Sequence, residues 1–138
     1  MSTPHYWLVK SDPDEYSLGD LEREGTTPWT GVRNFQARNY LRQMHVGDKV
    51  IVYHSGTERA AVGLARVVRS AYPDPTADDD RWVCVDLAFE QRFAKPVPLD
   101  RIKATPELRS MLLLKQSRLS VMPLTSEEYQ LILRLGRG

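Results

Sequence analysis

The chain has 138 residues with 19 Lys and Arg, 18 Asp and Glu, and a formal net charge of +1, which excludes a protein that holds nucleic acid by overall positive charge. Its single cysteine, Cys84, excludes an intramolecular disulfide and fits a reducing compartment. Apolar runs such as Val50–Tyr53 are too short to cross a bilayer, and the N-terminus lacks a signal-peptide pattern, so we predict one cytoplasmic, soluble domain over 1–138 with no membrane partner.

The first elements are a strand and a short helix. The segment Tyr6–Lys10 is dense in aromatic and branched residues and runs into a turn cluster, Ser11–Asp14. Ser17, followed three residues later by Asp20, forms a predicted capping box that opens a helix ending near Gly25. Lys10 and Ser11 are therefore placed at a strand end.

The segment Trp29–Met44 (WTGVRNFQARNYLRQM) combines an aromatic side chain, a glycine, arginines and asparagines at one loop-to-helix junction. Asn34 is predicted to cap a helix whose apolar stripe contains Ala37, Leu41 and Met44. Trp29 offers a flat apolar face, and Arg33 and Asn34 supply hydrogen-bonding groups suited to a planar polar ring. A capped amphipathic helix with solvated arginines is the simpler alternative.

Two strands joined by a short loop follow. Lys49–Ser55 and Ala60–Ala71 predict a hairpin, and Gly63 marks a bulge or a close backbone approach. The segment Tyr72–Asp80, with two prolines and four aspartates, predicts an exposed loop. Since Arg33–Arg42 contains no acidic residue, this charge asymmetry is compatible with a basic patch around the helix.

The last third of the chain mixes strands and helices. Trp82–Phe89 alternates cleanly and predicts a strand, and Lys95–Leu99 predicts a short edge strand or extended segment. Thr105, with Pro106 after it, is predicted to cap a helix running to about Leu113.

A final strand and helix close the chain. Ser117–Leu124 predicts the strand, and Thr125 with Glu128 forms a capping box for a helix that ends at a C-terminal glycine, Gly136. Five or six strands with peripheral helices indicate an α+β fold, a small curled sheet or barrel.

Catalytic motifs are missing from the sequence. His54 and Ser55 are neighbours on a strand and point to opposite faces, and no G-x-S-x-G, G-K-[ST] or G-x-G-x-x-G motif occurs. The three histidines and lone cysteine lack metal-ligand spacing, and Asp12, Asp14 and Glu15 are typical turn and cap residues. We therefore expect no enzyme, no metal and no cofactor.

Four segments read together carry a family resemblance: YWLVKSDPDEYS, WTGVRNFQARNYLRQM, GDKVIVYHS and KQSRLSVMPLT. They resemble, in order, the signature segments of the EVE domain family, and the match spans Tyr6 to about Gly136. The resemblance implies a PUA-like small β-barrel flanked by helices, shared with YTH and ASCH domains. It also implies a pocket that holds a modified base of DNA or RNA, of the methylated or otherwise 5-substituted cytosine type.

The resemblance also implies the residues of that pocket: Lys10, Ser11, Trp29, Gly31, Val32, Arg33, Asn34, Tyr53, His54, Ser55, Arg118, Leu119 and Ser120. Trp29 resembles the first tryptophan of the YTH aromatic cage, whereas the loop after Ser55 holds no tryptophan to match the second. Structural roles remain the alternative: Trp29 and His54 in the core, and Lys10 and Arg118 in surface ion pairs.

The leading functional hypothesis is a nucleic-acid-binding module that recognises a modified base without breaking a bond. The first alternative is a small enzyme acting on a nucleotide-like metabolite, with Lys10 or His54 as acid or base. The second is a protein-interaction module, which an exposed apolar patch away from Trp29 would indicate. The sequence leaves open DNA or RNA, the modification and the oligomeric state.

Overall fold

The computed structural model describes residues 5–137. The strands are β1 (Tyr6–Ser11), β2 (Thr26–Pro28), β3 (Lys49–His54), β4 (Ala60–Pro73), β5 (Val83–Pro98) and β6 (Val121–Leu124). The α-helices are α1 (Leu18–Glu24), α2 (Phe35–Gln43), α3 (Leu99–Lys103), α4 (Leu112–Lys115) and α5 (Ser126–Gly136), with a 3₁₀ helix at Pro106–Leu108. The chain is thus a mixed α+β protein, as predicted.

One six-stranded sheet organises the chain, in the order β2-β5-β4-β3-β1-β6. Strand β1 pairs in parallel with β3 and antiparallel with β6, while the β3-β4 and β4-β5 pairs are antiparallel. The predicted barrel is wrong, because β2 and β6 end the sheet at opposite edges and do not pair with each other. The sheet is therefore open.

Strand β5 corrects the sequence prediction in the second half of the sheet. The segment Lys95–Leu99, predicted as a separate strand, continues the strand that begins at Val83. Pro96 and Pro98 are tolerated because β2 pairs with residues 86–88 of β5, so the proline-bearing end lies beyond that pairing. Strand β4 likewise extends to Pro73, into the segment predicted as a loop.

Other corrections concern element ends. The predicted Thr105–Leu113 helix is divided into the 3₁₀ turn and α4, and Thr105 makes no side-chain cap bond. The last strand begins at Val121, so residues 117–120 form a turn. Gly136 lies inside α5, where a Cβ would be 2.7 Å from Phe93, and serves close packing rather than helix termination.

The helices cover the sheet with the faces expected from their sequence pattern. Both predicted capping boxes, Ser17 with Asp20 and Thr125 with Glu128, are present. The α2 stripe of Ala37, Leu41 and Met44 is buried in the main core. No helix in residues 5–137 is both long and apolar enough to span a membrane.

Gly63 is a close-packing glycine in β4, at a register shift against β5, as its position predicted. An added Cβ would lie 2.5 Å from both the Gln91 carbonyl oxygen and a Leu18 methyl group. We expect Gly63→Ala to lower the free energy of unfolding by about 2–3 kcal/mol, since backbone cannot move aside cheaply. The measurement is chemical denaturation.

Gly19→Ala is the matched control, because the new Cβ in α1 would meet only side-chain atoms at 3.5 Å or more. There we expect no loss, and a gain of up to about 1 kcal/mol from helix propensity. Equal effects of the two substitutions would contradict the packing argument.

Candidate functional site

A pocket of about 500 Å³ opens where the end of β1, the loop after it and the β2-α2 connection meet. This volume lies within the range of small-ligand sites in proteins. The structure brings together on its lining many of the residues that the sequence singled out: Lys10, Ser11, Trp29, Gly31, Val32, Arg33 and Ser120. Strand, loop and turn residues far apart in sequence therefore share one cavity.

The remaining predicted residues lie off the lining: Asn34, Tyr53, His54, Ser55, Arg118 and Leu119. The Asn34 side chain accepts from the Ala37 amide at 2.9 Å, which confirms its N-cap role. Tyr53 and Leu119 are buried in the core, and Arg118 is exposed in the turn before β6. These residues support or flank the pocket without facing it.

His54 is a structural histidine, 6 % exposed. Its Nε2 accepts from the Leu18 amide at 3.0 Å, and its Nδ1 lies 2.8 Å from Glu58 Oε1. Since Nε2 accepts, the ring proton sits on Nδ1 and points to the carboxylate. Both ring nitrogens are engaged away from the pocket, so the alternative of a satisfied core histidine holds.

Trp29 forms an aromatic wall and also belongs to the core, with 8 % of its surface exposed. Its amide donates to the Val85 carbonyl at 2.7 Å, which ties the wall to β5. Tyr16, which the sequence analysis did not select, lines the same pocket and meets Trp29 edge-on, with ring centroids 5.9 Å apart and planes at 88°. The pocket therefore has a second aromatic ring. It comes from the loop after β1 and not from the loop after Ser55, where the second tryptophan of the YTH cage would be expected.

Asp74 holds the edge of the pocket that Gly31 and Arg33 form. Its Oδ2 accepts from the Gly31 amide at 2.9 Å and from Arg33 Nη1 at 3.0 Å, and its Oδ1 accepts from the amide and the hydroxyl of Thr76. Burial alone would raise the pKa of Asp74, but these hydrogen bonds outweigh it and lower the pKa to about 2. The carboxylate is charged and holds the Gly31–Arg33 wall in place.

The predicted basic patch is reduced by this arrangement. The acidic loop, expected to be wholly exposed, buries Asp74 at 3 % exposure beneath Arg33. Arg38 on α2 donates to the Arg81 carbonyl in the same loop. The segment Arg33–Arg42, which contains no acidic residue, therefore lies against the acid-rich loop between β4 and β5.

Lys10, at the end of β1, places a hydrogen-bonded ammonium group on the pocket lining. Its Nζ donates to the Ser117 carbonyl at 2.7 Å and lies 5.8 Å from the centroid of the Tyr53 ring. Burial lowers the pKa of Lys10 below its ordinary value. Tyr53, placed in the pocket by sequence, instead positions the lysine that faces it.

Sequence reasoning missed part of the lining: Asp12, Glu15, Tyr16, Thr27, Pro28 and Thr30. Asp12 and Glu15 belong to a motif that was interpreted as a turn, and Thr27 and Pro28 lie on β2, whose three residues gave no strand signal. Within residues 5–137 no group of three or more His, Cys, Asp or Glu side chains could hold a metal ion.

The chain is similar in sequence and in structure to known proteins. The EVE domain profile matches residues 5–135. Mouse thymocyte nuclear protein 1 is 36 % identical in an alignment 165 positions long, which covers 95 % of this chain and 73 % of the relative. A protein structure from Agrobacterium tumefaciens superposes with a TM-score of 0.93 at 43 % identity, covering 96 % of this chain and 92 % of that one.

The structure of human THYN1 in complex with 5-methylcytosine-containing DNA superposes with a TM-score of 0.90 at 33 % identity, covering 97 % and 98 % of the two chains. An ASCH protein from Zymomonas mobilis, at 12 % identity and a TM-score of 0.60, shares the fold alone. The profile match over nearly all of the sequence confirms the resemblance of its four segments: the chain belongs to the EVE domain family.

Proposed function

We propose that this chain binds DNA carrying a modified base and holds that base in the pocket, with 5-methylcytosine as the first candidate. The observation that carries the proposal is the pocket itself, with Trp29, Arg33 and Lys10 on one lining. Its support is the likeness to human THYN1, which was crystallised with 5-methylcytosine-containing DNA.

The pocket chemistry suits a base turned out of a strand. Trp29 and Tyr16 supply aromatic surface, and stacking on such surface contributes about 1–3 kcal/mol per base. Arg33 and Lys10 supply donors for carbonyl or phosphate oxygens. Because the lining residues surround a cavity, a base must leave its stack to enter it.

Binding without catalysis is part of the proposal. The two groups considered as acid or base are His54 and Lys10. His54 has both ring nitrogens engaged outside the pocket, and we assign Lys10, whose Nζ donates to the Ser117 carbonyl, as a further hydrogen-bond donor to the base. The large exposed apolar side chains in the described part of the chain, Phe35 and Val46, flank opposite ends of α2. They form no continuous patch of the kind a protein-interaction module would show.

The test is a binding panel. Purified protein is titrated with short single- and double-stranded DNA and RNA carrying cytosine, 5-methylcytosine, 5-hydroxymethylcytosine or N6-methyladenine at one central position, at two salt concentrations. We expect DNA with 5-methylcytosine to bind best, about fourfold above cytosine from burial of one methyl group, with a ratio that added salt leaves unchanged while absolute affinities fall.

Equal affinity for modified and unmodified strands, or a preference that disappears with salt, would contradict the proposal. Preference for a modified RNA over every DNA would move the assignment from DNA to RNA. With a net charge of +1, the chain is expected to bind unmodified duplex only weakly.

A further inference from the structure

We propose that Asp12 selects a base that carries an exocyclic amino group, so that the pocket takes a cytosine-type base and rejects thymine and uracil. This inference rests on the proposed function, since it requires a base in the pocket. It assigns a specificity-determining role to a residue that sequence analysis interpreted as part of a turn.

Asp12 directly follows β1 and is held by hydrogen bonds of the turn after that strand. Its carbonyl accepts from the amides of Glu15 and Tyr16, each at 2.9 Å. Its Oδ1 accepts from the Asp14 amide at 2.9 Å, which fixes the carboxylate plane. The side chain is half-buried and lies on the pocket lining, so its position is set before any ligand arrives.

The second carboxylate oxygen of Asp12, Oδ2, remains available to accept a hydrogen bond from a ligand. Within residues 5–137, the hydrogen bond to this carboxylate is made by the Asp14 amide to Oδ1. The neighbouring Ser11 hydroxyl donates to the Tyr16 carbonyl at 2.6 Å and does not satisfy Asp12. Oδ2 is open to water in the free protein. A base that covers this oxygen removes its water, so a carboxylate on the pocket lining selects for a ligand that brings a hydrogen-bond donor.

Cytosine and thymine differ in the substituent at position 4 of the ring. Cytosine presents an amino donor at position 4, which a carboxylate accepts, whereas thymine presents a carbonyl oxygen there, which a carboxylate repels. The two bases share the acceptor at position 2 and, when the cytosine is methylated, the methyl group at position 5. They differ at positions 3 and 4, where cytosine presents an acceptor and a donor and thymine presents a donor and an acceptor; Asp12 tests the group at position 4.

The experiment compares two single-stranded DNA oligonucleotides, identical except for one central thymine or 5-methylcytosine. Single strands remove the cost of base flipping from both. We expect the wild-type protein to bind the 5-methylcytosine strand about tenfold more tightly, the size of a lost hydrogen bond with a charged acceptor.

The variant is Asp12→Asn. The asparagine oxygen keeps the bond from the Asp14 amide, so the turn persists, and its NH₂ group takes the place of Oδ2. A donor there suits the thymine carbonyl. We expect the preference for 5-methylcytosine to disappear or reverse, with an unchanged melting temperature.

Asp14→Asn is the matched control, because Asp14 is exposed, lies off the lining and undergoes the same change of charge. It should leave the preference intact. Glu15→Gln tests the other carboxylate of the lining, which lies exposed at the rim, and should also leave most of the preference intact.

The failure modes are separable. Wild-type protein that prefers 5-methylcytosine to cytosine, yet binds thymine equally well, overturns the role of Asp12 and leaves the proposed function standing. A preference that survives Asp12→Asn, or one abolished by Glu15→Gln alone, overturns it too. Absence of any modified-base preference overturns both proposals.

Discussion

Trp29→Ala is expected to abolish measurable preference for 5-methylcytosine DNA and to weaken its binding by about fivefold to 150-fold. The range is the contribution of one stacked base, about 1–3 kcal/mol. Because Trp29 is 8 % exposed and belongs to the core, its truncation should also lower the free energy of unfolding by about 3–5 kcal/mol. Titration with labelled oligonucleotide and chemical denaturation measure the two effects.

The two effects of Trp29 can be separated with a second substitution. Trp29→Phe keeps most of the buried apolar surface and narrows the stacking face, so binding should weaken several-fold with a smaller loss of stability. Trp7→Phe is the control, since Trp7 is buried, donates from Nε1 to Asp48 and lies off the pocket lining. A Trp29→Phe protein that folds normally and binds like wild type would remove Trp29 from the base-binding role.

Asp74→Asn should destabilise the fold and weaken base binding together. Asparagine has one acceptor oxygen, so it cannot serve the Gly31 amide, Arg33 and both donors of Thr76. Loss of a buried, charge-assisted network predicts a decrease of about 2–3 kcal/mol in the free energy of unfolding. Asp78→Asn, in the exposed part of the same loop, should change stability by less than about 0.5 kcal/mol.

Acid titration of stability provides an independent test of Asp74. Its pKa is lowered from an ordinary 3.8 to about 2, so the unfolded chain binds a proton at higher pH than the folded chain does. The stabilisation is therefore complete above about pH 4 and is lost as the pH falls towards 2, a change of about 2 kcal/mol. Asp74→Asn should remove this component of the acid dependence. An unchanged slope between pH 4 and pH 2 would contradict the assignment.

The elements that the sequence predicted well are those with local signals. The capping boxes of α1 and α5 and the Asn34 cap of α2 each depend on residues within three positions. Strand β2 could not be predicted, because Thr26–Pro28 becomes a strand only through its pairing with β5. The open sheet was missed for the same reason: whether the edge strands pair is decided by tertiary geometry, which strand patterns do not contain.

For the site, the family resemblance located the Trp29–Arg33 wall and the Lys10–Ser11 floor, which the structure places on one lining. It did not locate Asp74 or Asp12, whose contributions come from loop conformations. Asp74 was counted among the acids of an exposed loop, and only the fold turns it inward to Gly31 and Arg33. Adjacent residues such as Tyr53 and His54 were included as motif members, although the chain buries both.

Strand β1 lies between β3 and β6, and the amide of Lys10 donates to the Ser120 carbonyl while its Nζ donates to the Ser117 carbonyl, 107 residues away in sequence. Such contacts require the closure of a long chain segment, which is slow and costs entropy before the contacts repay it. During synthesis, Trp29 and Arg33 leave the ribosome long before β6 does. We therefore expect the floor of the pocket to form late in folding, and the pocket of a nascent chain to stay incomplete until β6 has left the ribosome.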